Sequence, residues 1–356
     1  MHYEALGEAS LIRIGMRKER RGGYDMSETT LAAANVRITH NKKQNLEHLL
    51  DIIEEAASKK VNLLVLPELA LQGYADFAFG LGAKETAEQK QYYFREAERI
   101  PGPSTERICQ VAKQHRMFIQ IGLAEWALHG NVIYNSTVLI GPDGIIGVYR
   151  KMHNQFEFPY FAPGEDIPIF ETAVGHLGSI ICYDLCFPEL LRTYALKGAE
   201  VVLMSTAWPM NGHDRETDYN GWAMDISAQG NAFFNQFWMV ISNHCEKGVY
   251  SQGLDYYGGS QIVDPYGKVV AYLADEEGLV VHQADLQKVL LTSRTEGFFG
   301  LNLLQDRRPE HYGAIIDQNY RHPIRLHRGR AEKPVTEPHM SGDSFVEEEC
   351  ESKHKV

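Results

Sequence analysis

The chain has 356 residues, 44% of them hydrophobic and 23% charged, which suits one large globular domain or two modest ones with a sizeable core. A formal charge of -12 leaves no positive field to draw phosphate, and this excludes a general nucleic-acid or anionic-membrane binder. The five cysteines, at 109, 182, 186, 245 and 350, are odd in number and scattered, unlike a disulfide framework, and no apolar run reaches the roughly 18 residues of a membrane span; a reducing, cytoplasmic setting is expected.

In chain order, residues 1–25 mix basic and apolar types without the apolar stretch of a secretion signal. Met26 is a candidate start, which makes 1–25 a disordered or non-native extension ahead of a domain at 26–320. Between 45 and 60, "NLEHLLDIIEEAASKK" sets Leu46, Leu49, Leu50, Ile53 and Ala56 at helical spacing, and "VNLLVLPE" at 61–68 reads as a buried strand. "STERICQVAKQHR" at 104–116 opens with a serine cap and a glutamate close behind, followed by the strand "MFIQIGLA". "VIYNSTVLIGPDGIIGVYRK" at 132–151 gives a hairpin around Gly-Pro-Asp-Gly.

The second half repeats the programme. "LGSIIC" is a strand, "FPELLRTYALKGA" a helix with proline in its first turn, "EVVLMST" a strand, "DYNGWAMDISAQGNAFFNQ" a helix and "FWMVISN" a strand. "YGGSQIVDPYGKVVAYL" at 257–273 is a second hairpin. Residues 321–356 are polar and charged, a tail expected to be flexible or to wrap a partner subunit. Buried strands alternating with helices put a sheet beneath each helical layer. The expected fold is α/β, a four-layer α-β-β-α sandwich built from two similar halves.

Three polar residues stand where strands should end: Glu68 after "NLLVLP", Lys151 after "IIGVYR" and Cys182 after "LGSII". Ligands of such sheets collect at the carboxyl ends of strands. Alone, each has a plainer reading: a solvated loop carboxylate, a surface cation, a core cysteine. Together they fit one mechanism. A thiol is mostly protonated at neutral pH and needs a base or a positive field to attack carbon. Glu68 can take the proton, while the Lys151 ammonium and the backbone N–H of Tyr183 can steady an oxyanion. The rival metal reading pairs Cys182 with Cys186, but zinc takes four ligands and no further motif supplies them; Cys186 reads as a packing residue. With no phosphate loop either, no metal or other cofactor is expected.

At these residues the sequence resembles the nitrilase superfamily of carbon-nitrogen hydrolases. The match lies in "LLVLPELALQGY", "YRKMH" and "GSIICYDLCFPELLR", with weaker agreement in "KGAEVVLMSTAWP", "FWMVISNH" and "GGSQIVDPYGKVV". The resemblance implies an α-β-β-α sandwich that pairs into a homodimer or higher homo-oligomer. It also implies Glu68 as general base, Lys151 as the cation that stabilises the intermediate, and Cys182 as nucleophile. A second active-site glutamate is matched to Glu157, with Glu165 as its competitor. Tyr74, Tyr183, Asp184 and Trp208 are the expected substrate contacts.

Cys182-Tyr183-Asp184 resembles the amidase and carbamoyl hydrolase branch. Where carbamoyl amino acid hydrolases carry arginines to hold a carboxylate, this chain has Leu185 and Cys186. Arg215 is an alternative source of charge, or a solvated loop residue. Trp208, Phe156, Phe158 and Tyr160 either wall an apolar pocket or simply pack. "QGNAFFNQFW" keeps Asn231, Ala232 and Asn235 but loses the charges that many relatives carry there. The expected activity is hydrolysis of a small amide or carbamoyl compound through a cysteine acyl-enzyme. The alternatives are a nitrilase working through a thioimidate, acyl transfer to an amine, and a non-catalytic scaffold of the same fold.

Overall fold

The run "TTLAAANV" forms the first strand, β1 (Thr29–Val36), and its alternation splits two cores. Leu31 and Ala33 face a cluster shared with residues of the second half, such as Leu177 and Leu203. Ala32, Ala34 and Val36 face a cluster with Leu49, Ile53, Ile108 and Ala112, which come from two helices. The computed structural model describes residues 28–74, 83–128, 131–154, 157, 160–212, 214–247 and 255–317. The proposed extension at 1–25 and the tail at 321–356 lie outside them.

After β1 come α1 (Lys42–Ser58), β2 (Leu63–Val65), α2 (Ala83–Glu96), α3 (Pro103–His115), β3 (Phe118–Trp126), β4 (Ile133–Gly141) and β5 (Gly144–Arg150). The second half runs β6 (Phe170–Thr172), β7 (Gly175–Ile181), a 3-10 turn at Cys182–Cys186, α4 (Pro188–Leu196), β8 (Val201–Ser205), α5 (Tyr219–Asn235), β9 (Trp238–His244), β10 (Ser260–Val263), β11 (Val269–Leu273), β12 (Gly278–Ala284) and α6 (Leu286–Thr295). The start of α3 corrects the expected cap. Gly102 caps the helix ahead of Pro103, and the Ser104 hydroxyl instead donates to Glu98 Oε1 at 2.8 Å.

Each half places three parallel strands side by side: β1, β2 and β3 in the first, β7, β8 and β9 in the second. A hairpin continues each set, β4–β5 after β3 and β10–β11 after β9. The second half opens with β6 paired to β7, and its last strand, β12, crosses to the first half to pair with β1. The two parts join where the ends of β1 and β9 pair, Asn35 with Asn243 and Val36 with His244. Buried hydroxyls and amides also bridge them. Thr137 and Ser179 hydroxyls are 2.7 Å apart, Gln120 Nε2 donates to Ser205 Oγ at 3.1 Å, and Ser205 Oγ donates to the Leu66 carbonyl at 2.7 Å.

The chain divides into two units, Met1–Arg307 and Arg308–Val356. All the strands and helices above lie in the first; the described part of the second holds two short 3-10 turns, Pro309–His311 and Gly313–Ile315. Among the described residues, no helix is long and apolar enough to cross a membrane.

Candidate active site

Glu68 enters the site from the turn after β2, and β3 makes room for it. Gly122 sits against that turn, its N–H donating to the Pro67 carbonyl at 3.1 Å. A Cβ on Gly122 would fall 2.4 Å from Pro67 O and 2.7 Å from Glu68 Cα, so only glycine lets the two segments approach. Downstream, the Tyr93 hydroxyl of α2 donates to the Gly73 carbonyl at 2.8 Å, and Gln72 Oε1 accepts from Ala124 N–H at 2.9 Å. These bonds hold the whole Glu68–Tyr74 segment against the sheet.

Lys151 follows β5, and its N–H donates to the Asn135 carbonyl at 2.8 Å. Its ammonium donates to Glu68 Oε1 at 2.7 Å and to Glu157 Oε1. Asn135 Nδ2 bridges the same pair, 2.7 Å from Glu68 Oε1 and 3.0 Å from Glu157 Oε2. The Tyr74 hydroxyl donates to Glu157 Oε1 at 2.8 Å, and Ala207 N–H donates to Glu68 Oε2 at 2.9 Å. Glu68, Lys151 and Glu157 are each 2% exposed or less. Glu165, in contrast, is exposed.

Cys182, 9% exposed, begins the 3-10 turn after β7 with φ of 47°. That left-handed conformation costs a non-glycine residue roughly 1–2 kcal/mol, and Asp184 braces it. One Asp184 oxygen accepts from Ile181 N–H at 3.0 Å and the Tyr149 hydroxyl at 2.7 Å. The other accepts from His153 N–H at 3.1 Å and lies 2.7 Å from His153 Nδ1. Tyr149 and His153 flank Lys151, so one carboxylate ties the lysine segment to the cysteine turn. Asn231 of α5 adds a bond to the Leu185 carbonyl at 3.3 Å.

Burial pushes the Glu68 carboxyl above its usual range, as does the charge of Glu157, against the pull of Lys151. Burial works against the charge on Lys151, yet Glu157 and Glu68 outweigh it and hold the ammonium well above its ordinary pKa. The Cys182 thiol is pushed well up by burial and by Glu68, with Lys151 pulling the other way. The resting arrangement is therefore a protonated thiol beside a carboxylate of raised basicity and a firmly charged ammonium. Tyr74, pushed up by burial and both carboxylates, stays a proton donor.

Several expected contacts stand differently. Asp184 is fully buried with both oxygens engaged, which corrects its expected place against the substrate: it has no exposed oxygen to offer. Trp208 is mostly buried, its indole N–H on the Asn220 carbonyl at 2.8 Å. Tyr183 is partly exposed and meets Phe187 edge-on at 5.0 Å. Arg215 is neither free nor merely solvated; its guanidinium stacks 3.7 Å over the Tyr257 ring and donates to the Tyr257 carbonyl and Tyr272 hydroxyl. Cys186 is exposed, not packed. Tyr160 joins Tyr93 and Phe161 in a small aromatic cluster, while Phe156 and Phe158 lie outside the described residues.

Nothing local in the sequence marks Asn135 as a bridge between the two carboxylates or His244 as a support for Glu68. His244 is fully buried, with Nε2 2.6 Å from the Glu68 carbonyl oxygen and Nδ1 2.8 Å from Glu246 Oε1. Burial disfavours its charge, but Glu246 and the Glu68 carbonyl raise its pKa overall. A cleft of about 660 Å³, lined by Arg116, Phe118 and His176 among others, opens at the starts of β3 and β7, the strand ends opposite this cluster.

An α/β fold with a thiol, an ammonium group and two carboxylates gathered at its strand ends defines a hydrolase class. Residues 30–294 match the family described as carbon-nitrogen hydrolase, and the chain belongs to that family, within the nitrilase superfamily. It is 31% identical over 285 residues to a probable nitrilase of Schizosaccharomyces pombe, covering 78% of this chain and 93% of that one. It is 30% identical over 310 residues to an N-carbamoylputrescine amidase of Solanum lycopersicum, covering 83% and 97%. A crystal structure of a carbon-nitrogen hydrolase from Helicobacter pylori superposes with a TM-score of 0.69 at 25% identity, over 82% of this chain and 99% of that one.

Proposed function

We propose that this enzyme hydrolyses a small amide or carbamoyl compound through a Cys182 acyl-enzyme. The observation that carries the reading is the Lys151 ammonium locked between Glu68 and Glu157 beside a buried thiol. Cys182 Sγ attacks the carbonyl carbon as its proton passes to Glu68. Lys151 Nζ and the Tyr183 N–H hold the oxyanion. Collapse expels ammonia or an amine, which takes the proton from Glu68. The same carboxylate then activates water, and the acid leaves. Glu157, with Tyr74 and Asn135, holds the lysine, while Tyr74, Tyr183 and Trp208 face the substrate. Asp184 acts as a positioning residue through the bonds to the cysteine turn.

Nitrile hydrolysis is the second reading, favoured by the likeness to a probable nitrilase. Thioimidate formation would use the same three groups. The layers are read as α-β-β-α from the division of β1 between two cores. Tyr219, Trp222 and Ile226 leave an exposed apolar stripe on α5, which supports a homodimer or higher homo-oligomer. The hydrolase domain is placed at 26–320, between an extension and a tail, and a cytoplasmic setting accords with four free cysteines among the described residues.

The test is ammonia release from amides, carbamoyl compounds and matching nitriles by wild type and Cys182→Ala. Release from amides or carbamoyls that vanishes in the variant is the expected result. Release from nitriles alone would move the assignment to nitrilase, and activity surviving in Cys182→Ala would overturn the acyl-enzyme.

A further inference from the structure

Thr206 is the residue after β8, and its position relative to the nucleophile follows from strand register. β7 and β8 run parallel with Ile181 opposite Ser205, so Cys182 and Thr206 are the next residues on neighbouring strands. The Thr206 backbone also meets the base. Its carbonyl accepts from Glu68 N–H at 3.4 Å, and the following residue, Ala207, donates to Glu68 Oε2 at 2.9 Å. Thr206 thus stands between the thiol and the carboxylate that takes its proton.

Its hydroxyl is the anomaly. Thr206 is fully buried, yet Oγ1 meets no partner at full hydrogen-bond geometry at rest; the Cys182 side chain is the group it reaches. A buried hydroxyl left without a partner is destabilising, and folded proteins rarely tolerate one without a use for it. No resting acceptor lines up with it, although its proximity favours the ionised form of Cys182. An interaction poorly aligned at rest and tightened during reaction is the kind that accelerates chemistry.

We propose that the Thr206 hydroxyl is a catalytic hydrogen-bond donor that turns to the Cys182 sulfur as negative charge develops there. The inference rests on Cys182 being the nucleophile. In acylation the S–H bond breaks, its proton goes to Glu68 and the S–C bond forms; Thr206 donates without giving up its proton. In deacylation the S–C bond breaks and the same hydroxyl receives the departing thiolate. The charged groups that act on this sulfur are Glu68, Lys151 and Glu157, and the Tyr74 hydroxyl donates to Glu157.

The size of the effect is bounded. A hydrogen bond to a charged group shifts the thiolate population by about 10- to 100-fold. Nucleophilicity falls as basicity falls, with a Brønsted slope of about 0.4–0.5, so roughly half of that factor on a logarithmic scale reaches the rate. The net gain is then about 3- to 10-fold.

The experiment compares Thr206→Val, which keeps the shape and deletes the hydroxyl, with Thr206→Ser, which keeps the hydroxyl. Cys182 alkylation by iodoacetamide is followed by peptide mass across neutral to alkaline pH, alongside kcat, KM and Tm. Expected for Thr206→Val are alkylation and kcat each lowered about 3- to 10-fold, an unchanged KM, and a Tm no lower than wild type because an unpaired buried hydroxyl has been removed. Thr206→Ser should keep the wild-type alkylation rate and kcat. An unmoved alkylation profile in Thr206→Val overturns the proposal, as does a fall in Tm that accompanies the loss of activity in both variants. Cys182→Ala is run beside them: if it still releases ammonia, the nucleophile assignment fails and takes the Thr206 role with it, whereas an inactive Cys182→Ala with a normal Thr206→Val sinks Thr206 alone.

Discussion

The two halves of the sheet share one plan and deliver different chemistry from matching places. β2 leads into Glu68 where β8 leads into Thr206, and β5 leads into Lys151 where β11 leads into Ala274. β7 turns at once into the strained Cys182, whereas β1 runs on through Arg37 without a turn. The first half thus supplies the charges and the second the thiol. A strand end only aims a residue at the crevice; the local turn decides whether it becomes a nucleophile or a connector. Neither half holds all of the proposed groups, and the bonds of Asp184 to Tyr149 and His153 tie the lysine segment of one to the cysteine turn of the other.

That division can be broken from the charged side first. Glu68→Gln keeps the shape and removes the proposed base, and kcat should fall by about 10²- to 10⁴-fold with the far-UV spectrum unchanged; a fall below tenfold would assign the proton to another group. Lys151→Met leaves Glu68 and Glu157 buried without their counter-charge. Urea unfolding should show a loss of about 3–5 kcal/mol, and equal stability would mean the pair is neutralised by other means. Gly122→Ala pushes on the Glu68 turn from behind. It should cost about 1–3 kcal/mol in stability and lower kcat more than it raises KM, since the base moves before the pocket does.

The smallest effect concerns pH. His244 has a raised folded pKa, so its contribution to stability is fully present below its unfolded value of 6.5 and is lost as pH rises through the folded value. It is faced by the Glu246 carboxylate, the Glu68 carbonyl and the Tyr256 ring, 4.9 Å away. Wild-type Tm should therefore fall from pH 6.5 upward more steeply than that of Glu246→Gln; parallel curves would show that His244 is neutral throughout.

Glu68, Lys151 and Cys182 were legible because each closes an apolar strand, and strand periodicity is a local signal. Their supports were not. Asn135 lies 67 residues from Glu68 inside an ordinary hairpin strand, and nothing local marks it as a bridge. Asp184 stands two residues from Cys182, but adjacency in sequence does not report which way a 3-10 turn aims its carboxylate. At α3 the Gly-Pro pair ahead of Ser104 does the capping, and the serine's hydroxyl serves Glu98. β6 has three residues, too few for periodicity to register, and β12 alternates half-buried positions without a clean apolar face.

The exchanged strand β12 bears on how this protein is made. Its partner β1 emerges from the ribosome some 250 residues earlier, as the register of Leu31 with His282 requires. Throughout that interval one edge of the first sheet has an unfilled row of backbone donors and acceptors, a template for pairing with another chain. Synthesis halted before Gly278 would leave a nascent product with Glu68, Lys151 and Cys182 already translated and its leading strand uncovered, so the seal on the sheet arrives after the proposed site.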